Sequence, residues 1–367
     1  MKKSLYLLAV LSLLGTNVFA KEVVTGPTTI TETPIAGEVK EESLNDETQV
    51  MTMIEIPEDK WTFNGRMYLE TENFDNSSKI VRSGLSRYYQ GSMKPMGNGD
   101  DALFWGTGVS ASKGKLTLDL NVERRYIGGA YSFKEGTNDR TRTDWKVRYQ
   151  LLENQGFHVK YRNENGDGFR RERFELGTDW NYYNNLFAGW FVVGHDMDKG
   201  TSYEIDILDP TTIVKSGKRT KGNYWEGDFG PSFKLTETLS LNPTIYTTGE
   251  FYDSYEMVET QLRIMMPYQA TEKLTIMPRI RLTLEKTVDS KDSNGDFKRD
   301  WEAGFGDRIR YELMGNYVFT EQLSTFVGVA FENGKRDFKN SNIFGGVNGK
   351  ETCNMWWGYV GLNYKFN

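Results

Sequence analysis

The sequence predicts an all-β chain, a transmembrane up-and-down antiparallel barrel of about fourteen strands. Three observations carry that prediction. Apolar and polar residues alternate with a period of two from Trp61 onward; short turns alternate with long polar stretches as connections; and charges interrupt every apolar run after residue 20. Period two gives an extended segment one apolar and one polar face, whereas a spanning helix needs ~20 consecutive apolar residues.

The elements follow in order. Lys2 and Lys3 precede an apolar run from Leu5 to Leu14 and a small-residue exit, Val18-Phe19-Ala20, the layout of an export signal cleaved after Ala20. Residue 21 is Lys and not Cys, so no lipid anchor is indicated. Residues 21–60 hold ten acidic and three basic side chains, net −7. They lack an apolar period and read as an acidic, extended or disordered periplasmic segment, with cell-wall contact or a plug as the functional alternatives.

Strands are expected near 61–72, 103–112, 115–127, 143–152, 157–163, 171–182, 186–196, 223–235, 239–252, 256–269, 274–287, 304–319, 323–333 and 352–366. A hairpin at 79–92 would make the count sixteen. "KLTLDLNVER" at 115–124 and "LTIMPRIRLTLEK" at 274–286 show the alternation best. Three short connections repeat: Thr236-Glu237-Thr238-Leu239, Thr271-Glu272-Lys273-Leu274 and Thr320-Glu321-Gln322-Leu323. Gly114, Gly156 and Asn184 mark three others. Longer polar stretches, 73–102, 128–142, 164–170, 197–222, 288–303 and 334–351, fill the opposite end, so short periplasmic turns and longer extracellular loops are expected.

The chain ends "YVGLNYKFN", an amphipathic strand with no sequence after it to cover its apolar face. In lipid, backbone groups must all be paired internally, so a sheet has to close on itself; the last strand is expected to pair with the first, "WTFNGRMYLE". Gly361, Tyr364 and Phe366 also resemble the C-terminal assembly signal of bacterial outer-membrane barrels, although Asn367 follows the final aromatic. With its "KEVV" start and acidic lead-in, the layout is similar to the fusobacterial major outer membrane porins. That resemblance implies an outer-membrane channel.

Parity assigns the charges. An Arg facing lipid at mid-depth costs ~2–4 kcal/mol, so Arg66, Lys146, Arg148, Lys160, Arg162, Arg173, Arg263, Arg279, Arg281, Arg308 and Arg310 are expected to line the lumen. Glu70, Asp119, Glu123, Glu175, Asp179, Glu285 and Glu312 share their parity. Arg263 is expected nearly opposite Arg279. Two readings stay open: a bracing lattice of ion pairs, or an electrostatic eyelet whose acids come from loops 73–102 (Asp75, Asp100, Asp101) or 197–222 (Glu204, Asp206, Asp209).

Other chemistry finds little support. Two histidines in 367 residues leave no His-rich ligand set, and Cys353 has no disulfide partner. "GHDMD" (His195, Asp196, Asp198) offers a His/Asp pair at a strand end, with a polar strand end as the plainer reading. "DSNGD" (Asp292, Asn294, Asp296) has calcium-like spacing, but Phe297 stands where the calcium loop needs Gly. No enzyme activity, metal or cofactor is expected. Outside residues 1–60 the net charge is only −1, with no basic excess for nucleic acid. Three classes remain: a porin for small hydrophilic solutes, a surface adhesin using loops 197–222 and 334–351, and a barrel enzyme. The expected partners are outer-membrane lipid, the barrel-assembly machinery and such solutes, with a homotrimer as a further option.

Overall fold

The computed structural model describes residues 60–74, 102–127, 140–166, 169–200, 220–253, 255–291, 294–339 and 348–366. The acidic segment 21–60 (save Lys60), the 79–92 hairpin and the acids of the two eyelet loops lie outside them. Fourteen strands form one closed antiparallel sheet. They are β1 (Thr62–Phe74), β2 (Ala102–Lys113), β3 (Leu116–Ile127), β4 (Arg140–Leu152), β5 (Gln155–Gly166), β6 (Phe169–Tyr182) and β7 (Phe187–Gly200). Then come β8 (Thr220–Gly230, continued by Phe233–Lys234), β9 (Ser240–Tyr252), β10 (Tyr255–Met265, continued by Tyr268–Thr271) and β11 (Leu274–Lys291). β12 is Phe297–Ala303 with Arg308–Val318, β13 is Leu323–Lys339, and β14 is Asn348–Thr352 with Met355–Phe366.

Each strand pairs with the next, and β14 closes on β1 from Phe63↔Phe366 to Phe74↔Met355. Pro231 and Pro267 stand at two of the interruptions, where a residue without an N–H cannot continue the ladder. A third falls at Gly304–Asp307, where Gly306 takes a positive φ of 74° and the Gly304 N–H donates to Asp307 Oδ2 at 2.9 Å.

The three Thr-Glu turns share one device. Thr236 Oγ1 accepts from the Thr238 and Leu239 amides at 3.2 and 3.1 Å. Thr271 does the same for Lys273 and Leu274 at 3.2 and 3.0 Å, and Thr320 for Gln322 and Leu323 at 3.2 and 3.0 Å. A β-hydroxyl thus satisfies two turn amides that the ladder leaves over.

On the outside, register stacks like on like. Tyr149 pairs with Phe157, Val147 with Val159 and Leu176, and Trp145 with Tyr161 and Phe174. Around the seam the order repeats: Phe63 and Phe366 low, Met67 with Leu362 and Leu69 with Val360 between, then Tyr311, Phe331 and Trp356 in one row above. Most of these side chains are exposed. An aliphatic belt between two aromatic rows is the outer surface of a lipid-embedded barrel.

Several expectations are corrected. Strands run further than alternation indicated: β12 starts at Phe297, β13 reaches Lys339 and β14 starts at Asn348. Both faces are charged there, as in Lys298, Arg299, Asp300 and Lys335, Arg336, Asp337, so a period-two hydrophobic template misses them. Glu285 does not line the lumen. Thr260 pairs with Glu285 but Gln261 pairs with Thr283, so Leu284 is an extra residue. Such a β-bulge reverses parity beyond it: Thr283 and Lys286 are buried on the inward side, and Glu285 is exposed. Arg263 faces Arg281, with Met265 opposite Arg279, because the tight Thr271 turn sets the register.

Candidate functional site: the lumen wall

The inward side chains lie along the wall, and glycines make this possible. Tyr68 on β1 crosses Gly106 on β2 to reach β3, where its hydroxyl donates to Glu123 Oε2 at 2.6 Å. A Cβ at Gly106 would meet the Tyr68 ring at 2.2 Å. Tyr224 on β8 crosses Gly194 on β7 and donates to Glu175 Oε2 on β6 at 2.7 Å. Tyr252 on β9 crosses Gly222 on β8 to Asp196 on β7. Arg148 on β4 crosses Gly156 on β5 and binds both oxygens of Asp179 on β6, at 2.8 and 2.6 Å. In each case a bare backbone on the middle strand lets a long side chain lie flat.

Ion pairs tie the strands between these crossings. Arg162 chelates Asp144 at 2.7 and 2.9 Å, Lys160 binds Glu175 at 2.6 Å, and Arg173 binds Asp196 beneath the Tyr224 ring. Arg66 donates to Asn121 Oδ1 at 3.3 Å. Lys146 stands on the same inward parity, opposite Asp119 and Lys160.

Arginines dominate the wall from β10 to β12. Arg263, Arg281 and Arg310 are direct cross-strand neighbours, an arrangement destabilising for like charges unless compensated. Arg263 Nη1 reaches Asp228 at 2.9 Å. Arg279, Arg281 and Arg310 all bind Glu312, Arg281 at 3.0 Å and Arg310 at 2.5 Å. One step up, Arg308 bridges Glu259 at 2.8 Å and Glu332 at 2.8 and 3.1 Å, and Lys286 joins Glu259 at 2.6 Å. The lattice reading therefore describes this wall. Arg263 packs on Tyr246 and Arg310 on Trp357, at 3.5 and 4.0 Å from the ring centroids.

The eleven basic residues assigned to the lumen, with Glu175 and Glu312, lie on the inward face of the wall, and Glu285 lies on the outward one. Sequence reasoning missed the tyrosines and several acids, Asp144, Asp196, Asp228, Glu259 and Glu332. The Tyr–Gly–acid crossing has a weak sequence trace, a glycine of inward parity on the strand between. Met265, Met277, Met314, Phe326 and Tyr68, with Tyr359 against them, form an apolar half-hoop on the wall below the arginine row. A second apolar group, including Met257, Trp301, Phe338, Met355 and Trp357, lies towards the extracellular mouth.

Above the upper aromatic row, Asp307 takes the Lys350 ammonium at 2.9 Å. Burial works against its ionisation, but Lys350 and the Gly304 amide outweigh it and hold the carboxyl below its usual range. Burial pushes the Cys353 thiol up to about 11. His195 and Asp196 point to opposite faces: His195 Nδ1 is 2.8 Å from Asn223 Oδ1 on the outside, and Asp196 is buried inside. The two do not share a site. Asp292 lies outside the described residues, and among those described no group of three or more His, Cys, Asp or Glu is placed to hold a metal ion.

A closed sheet, a greasy belt between aromatic rows and a charged interior define the class: this chain is a transmembrane β-barrel of the outer-membrane type. No protein-family model matches the chain, and no curated protein matches its sequence. Among solved structures it is similar to a bacterial polysaccharide outer membrane secretin (TM-score 0.44, 11% identity, covering 83% of this chain and 98% of that one). It is also similar to a Pseudomonas aeruginosa FadL homologue (0.43, 12%, 88% and 93%). A third is OmpT, an outer membrane protein of Vibrio cholerae (0.41, 13%, 85% and 100%).

Proposed function

We propose that the protein is an outer-membrane porin, a channel for passive diffusion of small hydrophilic solutes and ions. The observation that carries this reading is the flat lay of the wall. Tyr68, Tyr224, Tyr252 and Arg148 each cross one strand to a partner two strands away instead of reaching for the axis. Eight strands make an interior that side chains can fill, and larger barrels leave room along the axis. Fourteen strands with a charged, flat-lying wall suit a polar path.

On this reading the protein belongs with the fusobacterial major outer membrane porins that its layout resembles. It is exported by its signal peptide, cleaved after Ala20 and inserted by the barrel-assembly machinery. It catalyses no reaction, and a homotrimer fits the class. Single-channel recording in a planar bilayer tests the proposal. Conductance steps should rise in proportion to bulk salt. Purified, folded protein that never conducts at any voltage would overturn the proposal and favour an adhesin, tested next by deleting residues 340–347, between β13 and β14, and measuring partner binding.

A further inference from the structure

Above the upper aromatic row the outer surface of the barrel has two unlike sides. On β11 to β14 its charges answer one another. Arg299 Nη1 reaches Glu302 at 2.7 Å, Lys339 bridges Glu302 and Asp337 at 2.9 and 2.7 Å, and Lys350 reaches Asp307 at 2.9 Å. On β3 to β8 that balance is lost. Register puts Arg124, Arg170 and Lys221 on the outer face, with His195 beside them. Glu172 is the one acid on that face among the described residues of these strands.

The layers on this side follow from register. Trp145, Tyr161 and Phe174 top the greasy belt over Val147, Val159 and Leu176, and Phe174 and Leu176 are 49% and 58% exposed, open to acyl chains. One pair up lie Thr143, Asn163 and Glu172, then Thr141, Asn165 and Arg170. Lys221 continues the Glu172 row across Met197. Arg170 donates to Glu172 Oε1, which also accepts from the Tyr161 hydroxyl at 3.5 Å, so that carboxylate is shared. Lys221 is exposed and has no carboxylate at ion-pair distance among the described residues. Arg170 and Lys221 stand two strands apart, ~10 Å at the spacing of paired strands.

We infer that the outer face of β5 to β8, at the extracellular rim, binds a phosphorylated glycolipid of the outer leaflet. Arg170 and Lys221 take its phosphates, Asn163 and Asn165 its sugar hydroxyls, and its acyl chains run down Phe174 and Leu176. The layers of the wall match those of such a lipid in order: cations, then amides, then rings and aliphatic side chains. Charge-assisted hydrogen bonds to phosphate supply the affinity, and a basic cluster at headgroup level is a recurring form of lipid recognition. A free phosphate would gain the first of these contacts and none of the others. The site requires the barrel and its membrane only, so it stands whether or not the protein conducts.

The test titrates the full chain, folded in detergent, with bisphosphorylated lipid A and with the same lipid stripped of its phosphates, read by native mass spectrometry. The phosphorylated lipid should bind roughly tenfold tighter or more, and excess inorganic phosphate should not displace it. Equal binding of the two lipids overturns the site, and displacement by inorganic phosphate overturns the assignment to a lipid. Arg170→Gln with Lys221→Gln should weaken binding by roughly the same factor. Lys339→Gln with Lys350→Gln, on the self-paired side, should leave it unchanged. Equal losses in the two double variants overturn the location. Heat-modified migration on gels checks that each variant is folded, and the comparison of the two lipids needs no variant at all.

Discussion

Gly361 shows how one residue serves two masters. It resembles the glycine of a terminal assembly signal, yet it also lies under the Phe326 ring, and a Cβ there would meet Phe326 Cζ at 2.1 Å. Overpacking of this kind costs ~1–3 kcal/mol, so Gly361→Ala should lower folded yield. Adding Phe326→Ala should restore much of it if packing is the cause; a recognition role would leave the double variant as poor as the single. Glu312 invites a second test. It holds Arg279, Arg281 and Arg310 together, and removing one partner of a buried charge cluster costs roughly 3–5 kcal/mol. Glu312→Gln should therefore lower the unfolding temperature more than Arg281→Gln does, measured by heating before electrophoresis. Equal effects would show that the guanidiniums do not depend on that carboxylate.

Among the elements, the three Thr-Glu turns and the β14–β1 seam set the frame. Each turn threonine accepts two amides, and with water as the competitor each pair is worth about 1 kcal/mol. Replacing Thr236, Thr271 and Thr320 together by Val should slow refolding into detergent micelles, while Ser at the same positions should not. Like rates for the two triple variants would assign the turns to backbone geometry alone. At the seam, Phe366 lies over Gly65, its ring 2.9 Å from where a Cβ would stand, and packs edge-on against Tyr364. Phe366→Ser should reduce folded protein in the membrane. Normal yield would mean that the backbone pairing from Phe63↔Phe366 upward suffices for closure.

For the whole molecule, closure is what makes the parts stable. Every strand has two neighbours and the sheet has no free edge, so backbone pairs do not open from an end. Unheated samples should migrate anomalously on gels, and circular dichroism in detergent should be β-dominated; a helical spectrum would end this description. The described interior is a wall of matched charges, not a field of one sign.

The sequence by itself determined that there are strands, their order, and their faces wherever the alternation runs unbroken. Alternation at period two is a local property: each of Leu116, Leu118, Leu120 and Val122 reports its own surroundings, lipid or lumen, without knowledge of any other strand. The short Thr-Glu turns and the lone amphipathic strand at the end likewise carried the up-and-down topology and the need to close. Only the tertiary structure decided which charges meet. Partners such as Tyr224 and Glu175, or Arg148 and Asp179, sit two strands apart, and their meeting depends on register and on a glycine between them. The bulge at Leu284, which sends Glu285 outward and Lys286 inward, arises because β10 and β11 pair in one register near the turn and in another above it. Register is a relation between strands, and a one-residue shift in it exchanges lumen for lipid. That information is absent from either strand read alone.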